Sequence, residues 1–264
     1  MKAENQNKLA IIIASCDKYA DLWESVVSEF NKKWEDCPYN IYLVSNQKKY
    51  SCDRVQQVLV GEDVDWSTTM QLAVQKIDED YILFWLDDVF LDSSIDTCVI
   101  AKHFEWMFEN EADFLRLRAN PRPKEYSGAY GKLSTKASYR VSIFATIWKK
   151  NVFLDLVSPG ESAWEFELIG TTRSTKYEKF YAVRRDCFKY RHGVEKGKWI
   201  PSTYRWLSEK GYALNDREVM TRKESIYSMT RKLKSKLLDF FPEDQRRNVL
   251  VLANKLYRAT GLRN

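Results

Sequence analysis

Asp80-Tyr81-Ile82-Leu83-Phe84-Trp85-Leu86-Asp87-Asp88 carries the strongest strand signal in the chain. An unbroken apolar run of this length reads as a strand buried on both faces, and such strands belong to sheets covered by helices on either side. The run stops abruptly in two adjacent carboxylates. Working outward toward the N-terminus, Leu9–Ala14 is a second buried strand, and 40–44 and 55–60 are two more. Helical spacing fills the gaps between them. Leu22, Val26, Val27 and Phe30 mark a helix over Ala20–Lys33, and Met70, Leu72, Ala73, Val74 and Ile77 mark another behind Ser67 as N-cap. Toward the C-terminus, residues 95–110 read as a helix, 113–117 as a strand and 120–137 as a long loop or hairpin. Residues 139–148 read as a strand with Val141, Ile143, Ala145 and Ile147 on one face. Regular alternation of strand and helix implies α/β architecture with a mostly parallel central sheet and helices on both faces.

Charge divides the chain unevenly. Its 264 residues carry 42 Lys+Arg and 37 Asp+Glu, a net +5, but residues 217–264 alone hold 12 basic against 5 acidic side chains. This predicts a near-neutral catalytic or binding body over 1–216 and a basic helical C-terminal extension over 217–264. The extension reads as two helices divided by Phe241-Pro242. Ile226, Met229, Leu233, Leu237 and Phe240 form an apolar stripe on the first, amid Lys and Arg. Such a helix lies in an anionic membrane interface or packs its stripe on the body. No nucleic-acid-binding motif accompanies the charge, so nucleic acid is not an expected partner. The apolar runs fall far short of the ~20 residues that span a bilayer, and the polar start, Lys2 to Lys8, does not resemble a secretory leader. The expected location is cytoplasmic, with a peripheral association at the inner face of the cytoplasmic membrane.

Five cysteines without a C-x-x-C pair suggest free thiols, and two histidines leave the chemistry to carboxylates. Ligands of open α/β sheets bind at the carboxyl ends of the strands. That directs attention to Ser15, Asp17 and Lys18, to Asn46, to Asp65 and Trp66, to Asp87 and Asp88, and to Arg116. Neither G-x-G-x-x-G nor G-x-x-x-x-G-K-[ST] occurs, so a phosphate here needs a metal or basic side chains. Asp87 and Asp88 are hard oxygen ligands suited to manganese or magnesium bridging a diphosphate. Glu161, Glu165 and Glu167 stand among aromatics, where a desolvated carboxylate becomes a general base. Glu165 and Glu167 are separated by about 200° on an ideal helix, so one of them faces the cleft, and the spacing leaves open which. In the glycine-containing stretch 186–199, Lys196 and Lys198 are candidates for phosphate oxygens and His192 for completing a metal site.

Taken in order, the segments 15–23, 37–46, 61–67, 81–91, 164–167 and 193–199 resemble a GT-A type bacterial glycosyltransferase of the kind found in capsule and lipopolysaccharide gene clusters. The resemblance covers about residues 8–215 and implies a GT-A-like, Rossmann-type fold. It implies a nucleotide-sugar donor, UDP-sugar foremost, whose nucleoside meets Ser15, Asp17 and Asn46. Asp87 and Asp88 stand where the family keeps an Asp-x-Asp metal motif, although this chain reads Asp-Asp-Val-Phe there. Glu165 or Glu167 stands where inverting members keep the base that deprotonates the acceptor hydroxyl, here of a lipid-linked surface glycan. Trp66 and Trp164 are candidates for stacking on sugar or base. Two other readings share these features. One is a nucleotidyltransferase acting on a sugar phosphate, for which a glycine-bearing loop is expected where Ser15–Tyr19 has none. The other is a non-catalytic nucleotide- or sugar-binding subunit.

Overall fold

β1 (Leu9–Ala14) lies between β2 (Asn40–Ser45) and β4 (Tyr81–Leu86), parallel to both, and β3 (Gln56–Leu59) extends the sheet beyond β2. The computed structural model describes residues 8–120, 122–123, 125–214 and 217–238, with side chains to Thr230. The expected parallel half is therefore present. Its other half is mixed, because β6 (Phe114–Arg116), β7 (Tyr126–Ser127), β8 (Tyr130–Lys132), β9 (Thr146–Lys149) and β10 (Phe180–Val183) complete a nine-stranded sheet of order β3-β2-β1-β4-β9-β6-β10-β8-β7. β9 runs antiparallel to both β4 and β6, while β10 is parallel to β6. The loop expected over 120–137 holds the β7–β8 hairpin.

Both faces of the sheet are covered, as continuous apolar strands demand. Ile11, Ile13, Leu83 and Trp85 point to one face, where α1 (Ala20–Lys33) and α3 (Thr97–Glu109) bury Phe30 and Phe104. Ala10, Ile12, Ile82 and Phe84 point to the other, where α2 (Trp66–Gln75), α4 (Lys150–Leu156) and α5 (Ala163–Arg173) bury Met70, Phe153 and Phe166. Each such fully buried side chain stabilises the fold by about 1.5–3 kcal/mol. The N-cap of α2 is Asp65, not Ser67. The Asp65 carboxylate accepts the Thr68 amide at 2.8 Å, while Ser67 is already one residue inside the helix.

The strand expected over 139–148 shortens to β9. In place of a strand, 140–145 is a buried irregular segment that follows exposed Tyr139 and turns at Ala145 with φ +54°. Two of its amides bond to α5, Val141 N donating to Thr171 Oγ1 at 3.1 Å and Ile143 N to Glu167 Oε1 at 3.0 Å, while Ala145 N reaches β4, at the Phe84 carbonyl, 2.9 Å.

Beyond β4 the chain forms β5 (Val89–Leu91), which pairs antiparallel with β11 (Tyr190–His192). A hairpin of β12 (Val194–Glu195) and β13 (Lys198–Trp199) follows, turned by Lys196 and Gly197, both at positive φ. Two left-handed central residues define a type I′ turn, whose twist matches its strands. Next come α6 (Pro201–Ser208) and α7 (Arg222–Leu238). The segment before α7 and the first turns of the helix dock on this hairpin: Lys198 pairs with Glu218 and Glu224, each at 3.0 Å, and Ser228 donates to Glu195. The second helix read beyond Phe241-Pro242 lies outside the described residues, as do the side chains of Leu233, Leu237 and Phe240. All five cysteines are free.

Candidate functional site

The sheet brings five chain segments to one edge. β1, β2 and β4 are parallel, so Ser15, Asn46 and Asp87 leave their strands side by side. β9 runs the other way, and the register Phe84↔Thr146↔Arg116 delivers the segment just before it, 142–145, to the same edge between Asp87 and Arg118.

At one end of this edge Asp17 and Asn46 lock together. The Asp17 carboxylate accepts the amides of Asn46, Gln47 and Lys48 at 2.9, 3.0 and 3.0 Å, and its own amide donates to Asn46 Oδ1 at 3.0 Å. This shapes the loops after β1 and β2 and leaves the Asp17 carboxylate occupied by backbone. The buried Asn46 Nδ2 has no hydrogen-bond partner among the described residues. Lys18 pairs with Asp63 at 3.0 Å. Trp66 is half-buried and packs on Phe166, 5.4 Å between ring centroids.

The acidic pair sits in the middle. Trp23 Nε1 donates to Ser15 Oγ at 2.7 Å, and Ser15 in turn donates to Asp87 Oδ2. Burial, then the neighbouring Asp88, holds the Asp87 carboxyl well above the usual carboxylate range, against the pull of Ser15 and Arg217. Burial pushes Asp88 up to about 6, opposed by its own amide and by Arg217. Arg217 supplies positive charge beside this pair. It grips Asp21 through two nitrogens at 2.8 and 2.9 Å, lies 4.6 Å from the Tyr19 ring centroid and donates to the Gly197 carbonyl at 3.1 Å. His192 is brought alongside by the β5–β11 pairing, and Gly193 N donates to the Asp88 carbonyl at 2.6 Å. A Cβ on Gly193 would come within 2.4 Å of the Phe90 ring, so this approach requires glycine. Among the described residues no set of three His, Cys, Asp or Glu side chains is grouped to hold a metal ion. One or two carboxylates nonetheless suffice for magnesium when phosphate oxygens and water complete its shell, and half-buried Asp88 offers that chemistry.

Structure separates the two glutamates. Glu165 closes a capping box: its carboxylate accepts the Ser162 amide at 2.8 Å and the Ser162 hydroxyl at 2.7 Å. These bonds hold its pKa down, and the side chain is exposed. Glu167 turns inward. Burial raises its pKa, against the Ile143 amide, the Ser142 hydroxyl and the charges of Arg118 and Arg116. Arg116 is fully buried beside Glu167, where burial and then Arg118 lower it to about 10. Arg118 donates to Tyr190 Oη at 3.2 Å and to Ser142 Oγ at 3.4 Å, and it lies 4.9 Å from the Phe144 centroid. Phe144 and Tyr190 both face His192, at 6.3 and 5.5 Å, so the wall runs from Asp88 to Glu167 through aromatic and guanidinium groups. Trp164, one turn before Glu167 on α5, is 62% exposed.

Lys196 is exposed at the hairpin tip, whereas Lys198 is committed to Glu218 and Glu224. Sequence reading missed Arg118 and Arg217. Arg118 lies just past the strand end at Arg116, a positional signal that was available. Arg217 had none, since it counts only as one more charge of a basic segment.

A crystal structure of S. aureus TarS 1-349 in complex with UDP-GlcNAc superposes on this arrangement with a TM-score of 0.51 at 13% identity, covering 73% of this chain and 60% of that chain. The fold is GT-A-like. The same TarS fragment in complex with UDP gives 0.50 at 11% identity, covering 76% and 63%. A UTP-bound UGPase from Acinetobacter baumannii gives 0.46 at 11%, covering 86% and 99%. The chain thus spans about 60% of the TarS chain it matches. No protein-family model matches the sequence, and no curated protein matches it either.

Proposed function

We propose that this chain is a glycosyltransferase that moves a sugar from a nucleotide-sugar donor, a UDP-sugar, to a hydroxyl of a surface-glycan acceptor with inversion. One observation carries the reading: a half-buried carboxylate of raised pKa, Glu167, and a second acidic centre, Asp87–Asp88, share one sheet edge in a GT-A-like fold. Glu167 accepts the acceptor's proton as its oxygen attacks the anomeric carbon, with Ser142 and the Ile143 amide holding the carboxylate in place. Glu165 supports α5. Arg118 orients this centre through Ser142 and favours the ionised form of Glu167. At the donor end, Asp88 is the ligand for a manganese or magnesium ion, with Asp87 fixed behind it by Ser15 and His192 flanking it. A divalent ion there supplies charge neutralisation for the departing diphosphate. Arg217 adds fixed positive charge beside the same position, and exposed Lys196 at the hairpin tip is a further candidate for the phosphate oxygens. The backbone frame made by Asp17 and Asn46 receives the nucleoside.

Within the extension over 217–264, the exposed apolar face of α7 is the membrane-facing part of this proposal. Ile226, Tyr227 and Met229 on α7 are 52%, 61% and 70% exposed amid basic residues, which suits an anionic lipid surface and a lipid-linked acceptor at the inner face of the cytoplasmic membrane. Among the described residues no helix is long and apolar enough to cross a membrane.

The test is release of UDP from a panel of UDP-sugars with manganese present, in the native chain and in Asp88→Ala and Glu167→Gln. Turnover by the native protein, lost in both variants, is expected. Turnover that persists in both variants refutes the assigned chemistry.

A further inference from the structure

A cavity of about 640 Å³ opens at the far end of the same sheet edge, beyond Arg118. Its walls are His103 of α3, Ala129 in the β7–β8 turn and the stretch 183–187 that follows β10. The stretch is bonded to the candidate site. Cys187 N donates to the Leu117 carbonyl at 3.3 Å and the Asp186 carboxylate accepts the Ala119 amide at 2.7 Å, so the cavity shares the backbone that carries Arg118 toward Glu167. Arg184 is held in the wall by its backbone N–H, which donates a hydrogen bond to the Ala129 carbonyl at 2.8 Å, and its guanidinium lies 4.6 Å from the Tyr126 ring centroid.

The lining carries two guanidiniums against one carboxylate, and Arg184 keeps its N–H donors while it faces the Tyr126 ring. Arg184 and Arg185 are exposed, and neither forms an ion pair among the described residues. Asp186, the one acid in the lining, directs an oxygen to backbone. His103 bonds Tyr130 Oη through Nδ1 at 3.0 Å, and burial lowers its pKa, so it adds shape rather than charge at neutral pH. Two guanidiniums with open donors match the planar or tetrahedral oxygens of a carboxylate or phosphate. A volume of this order is that of a small-molecule site, for which ~300–1,000 Å³ is usual.

We infer that this cavity binds an anionic substituent, phosphate or carboxylate, on the acceptor glycan and thereby presents the acceptor hydroxyl toward Glu167. The inference rests on the glycosyltransferase reading for its direction, but the anion site itself is separately measurable.

Calorimetric titration of the full chain with glucose 1-phosphate, glucuronate and glucose, with UDP titrated in parallel, tests it. Binding of glucose 1-phosphate, glucuronate or both, with no detectable binding of glucose, is expected. Which anion binds identifies the substituent. Arg184→Ala/Arg185→Ala, and independently Arg185→Glu, should weaken that binding at least tenfold and leave UDP affinity and the melting temperature unchanged. Unaltered affinity in these variants, binding of glucose as tight as that of the anions, no binding of either anion, or displacement of the bound anion by UDP overturns the inference. A native chain that binds the anions but not UDP leaves the cavity assignment standing and removes the donor reading instead.

Discussion

Glu167 Oε1 accepts the backbone amide of Ile143 at 3.0 Å. This bond ties helix α5 to the irregular segment that enters the sheet beside Asp87, and it fixes a half-buried carboxylate at the cleft. Glu165, two residues earlier, bonds only its own helix start. Glu167→Gln should therefore lower transfer by about 10²–10⁴-fold, the usual worth of a general base, with UDP binding retained. Glu165→Gln should leave turnover close to native. Equal loss in the two variants, measured by UDP release, would assign the base wrongly.

The pH profile follows from the same carboxylate. A base must be ionised, and burial raises the Glu167 pKa. The rate should fall as pH drops, with an acid limb above the ~4.3 of an ordinary glutamate. Arg118 favours the ionised form, so Arg118→Ala should move the limb to higher pH. A limb that stays in place or moves lower contradicts the coupling.

Asp88 and manganese should act together on the donor. In the native chain manganese should strengthen UDP binding, and in Asp88→Asn that gain should shrink at least tenfold while metal-free binding changes little. Thermal shift with UDP, with and without manganese, reads both. A stabilisation by manganese and UDP that is equal in native and variant chains would rule out Asp88 as a ligand.

Ala145 is a non-glycine residue at φ +54°, buried where the chain turns into β9. A β-branched side chain is poorly tolerated in this conformation and in this space, so Ala145→Val should cost about 1–3 kcal/mol. Ala145→Gly should be close to neutral because glycine adopts the conformation freely. Urea denaturation of both variants checks the contrast.

Glu29 on α1 is 1% exposed and accepts hydrogen bonds from Lys210 and, at 2.9 Å, from Tyr212 Oη. Burial alone would raise its pKa, yet the bonds from Lys210 and Tyr212 outweigh it and the folded-state value is lowered. A lowered folded pKa means that this stabilisation is complete above the unfolded value, ~4.3, and is lost as pH falls through the folded one. Glu29→Gln should cost about 1–3 kcal/mol at pH 7, and less as the medium is acidified below pH 4. A cost independent of pH would show that packing, not charge, holds this contact.

Local pattern alone sets most of the strands and helices in the first half of the chain, β5 excepted. Leu9–Ala14, Ala20–Lys33 and the strand read from Asp80 to Leu86 are decided by local periodicity, because each must bury a contiguous face or run, and the structure forms the first two at those residues and the third from Tyr81. The sequence also marked Asp87 and Asp88, since paired acids at the end of a buried strand stand out in any context. Tertiary structure alone decided the rest. The alternation of 139–145 looks like a strand, but the amides of Val141 and Ile143 find partners on α5, a contact across 24 residues for Ile143 that no local pattern encodes. Glu165 and Glu167 are equivalent by composition, and only the capping box at Ser162 and the pocket formed by Ser142, Ile143 and Arg118 separate them. Arg217 lies far along the chain from Asp21 and Asp87, and its place beside them follows from the docking of the segment after α6 on β13. Periodicity reports burial along one element, whereas a site is assembled from the ends of many, and those ends meet only when the sheet order is set.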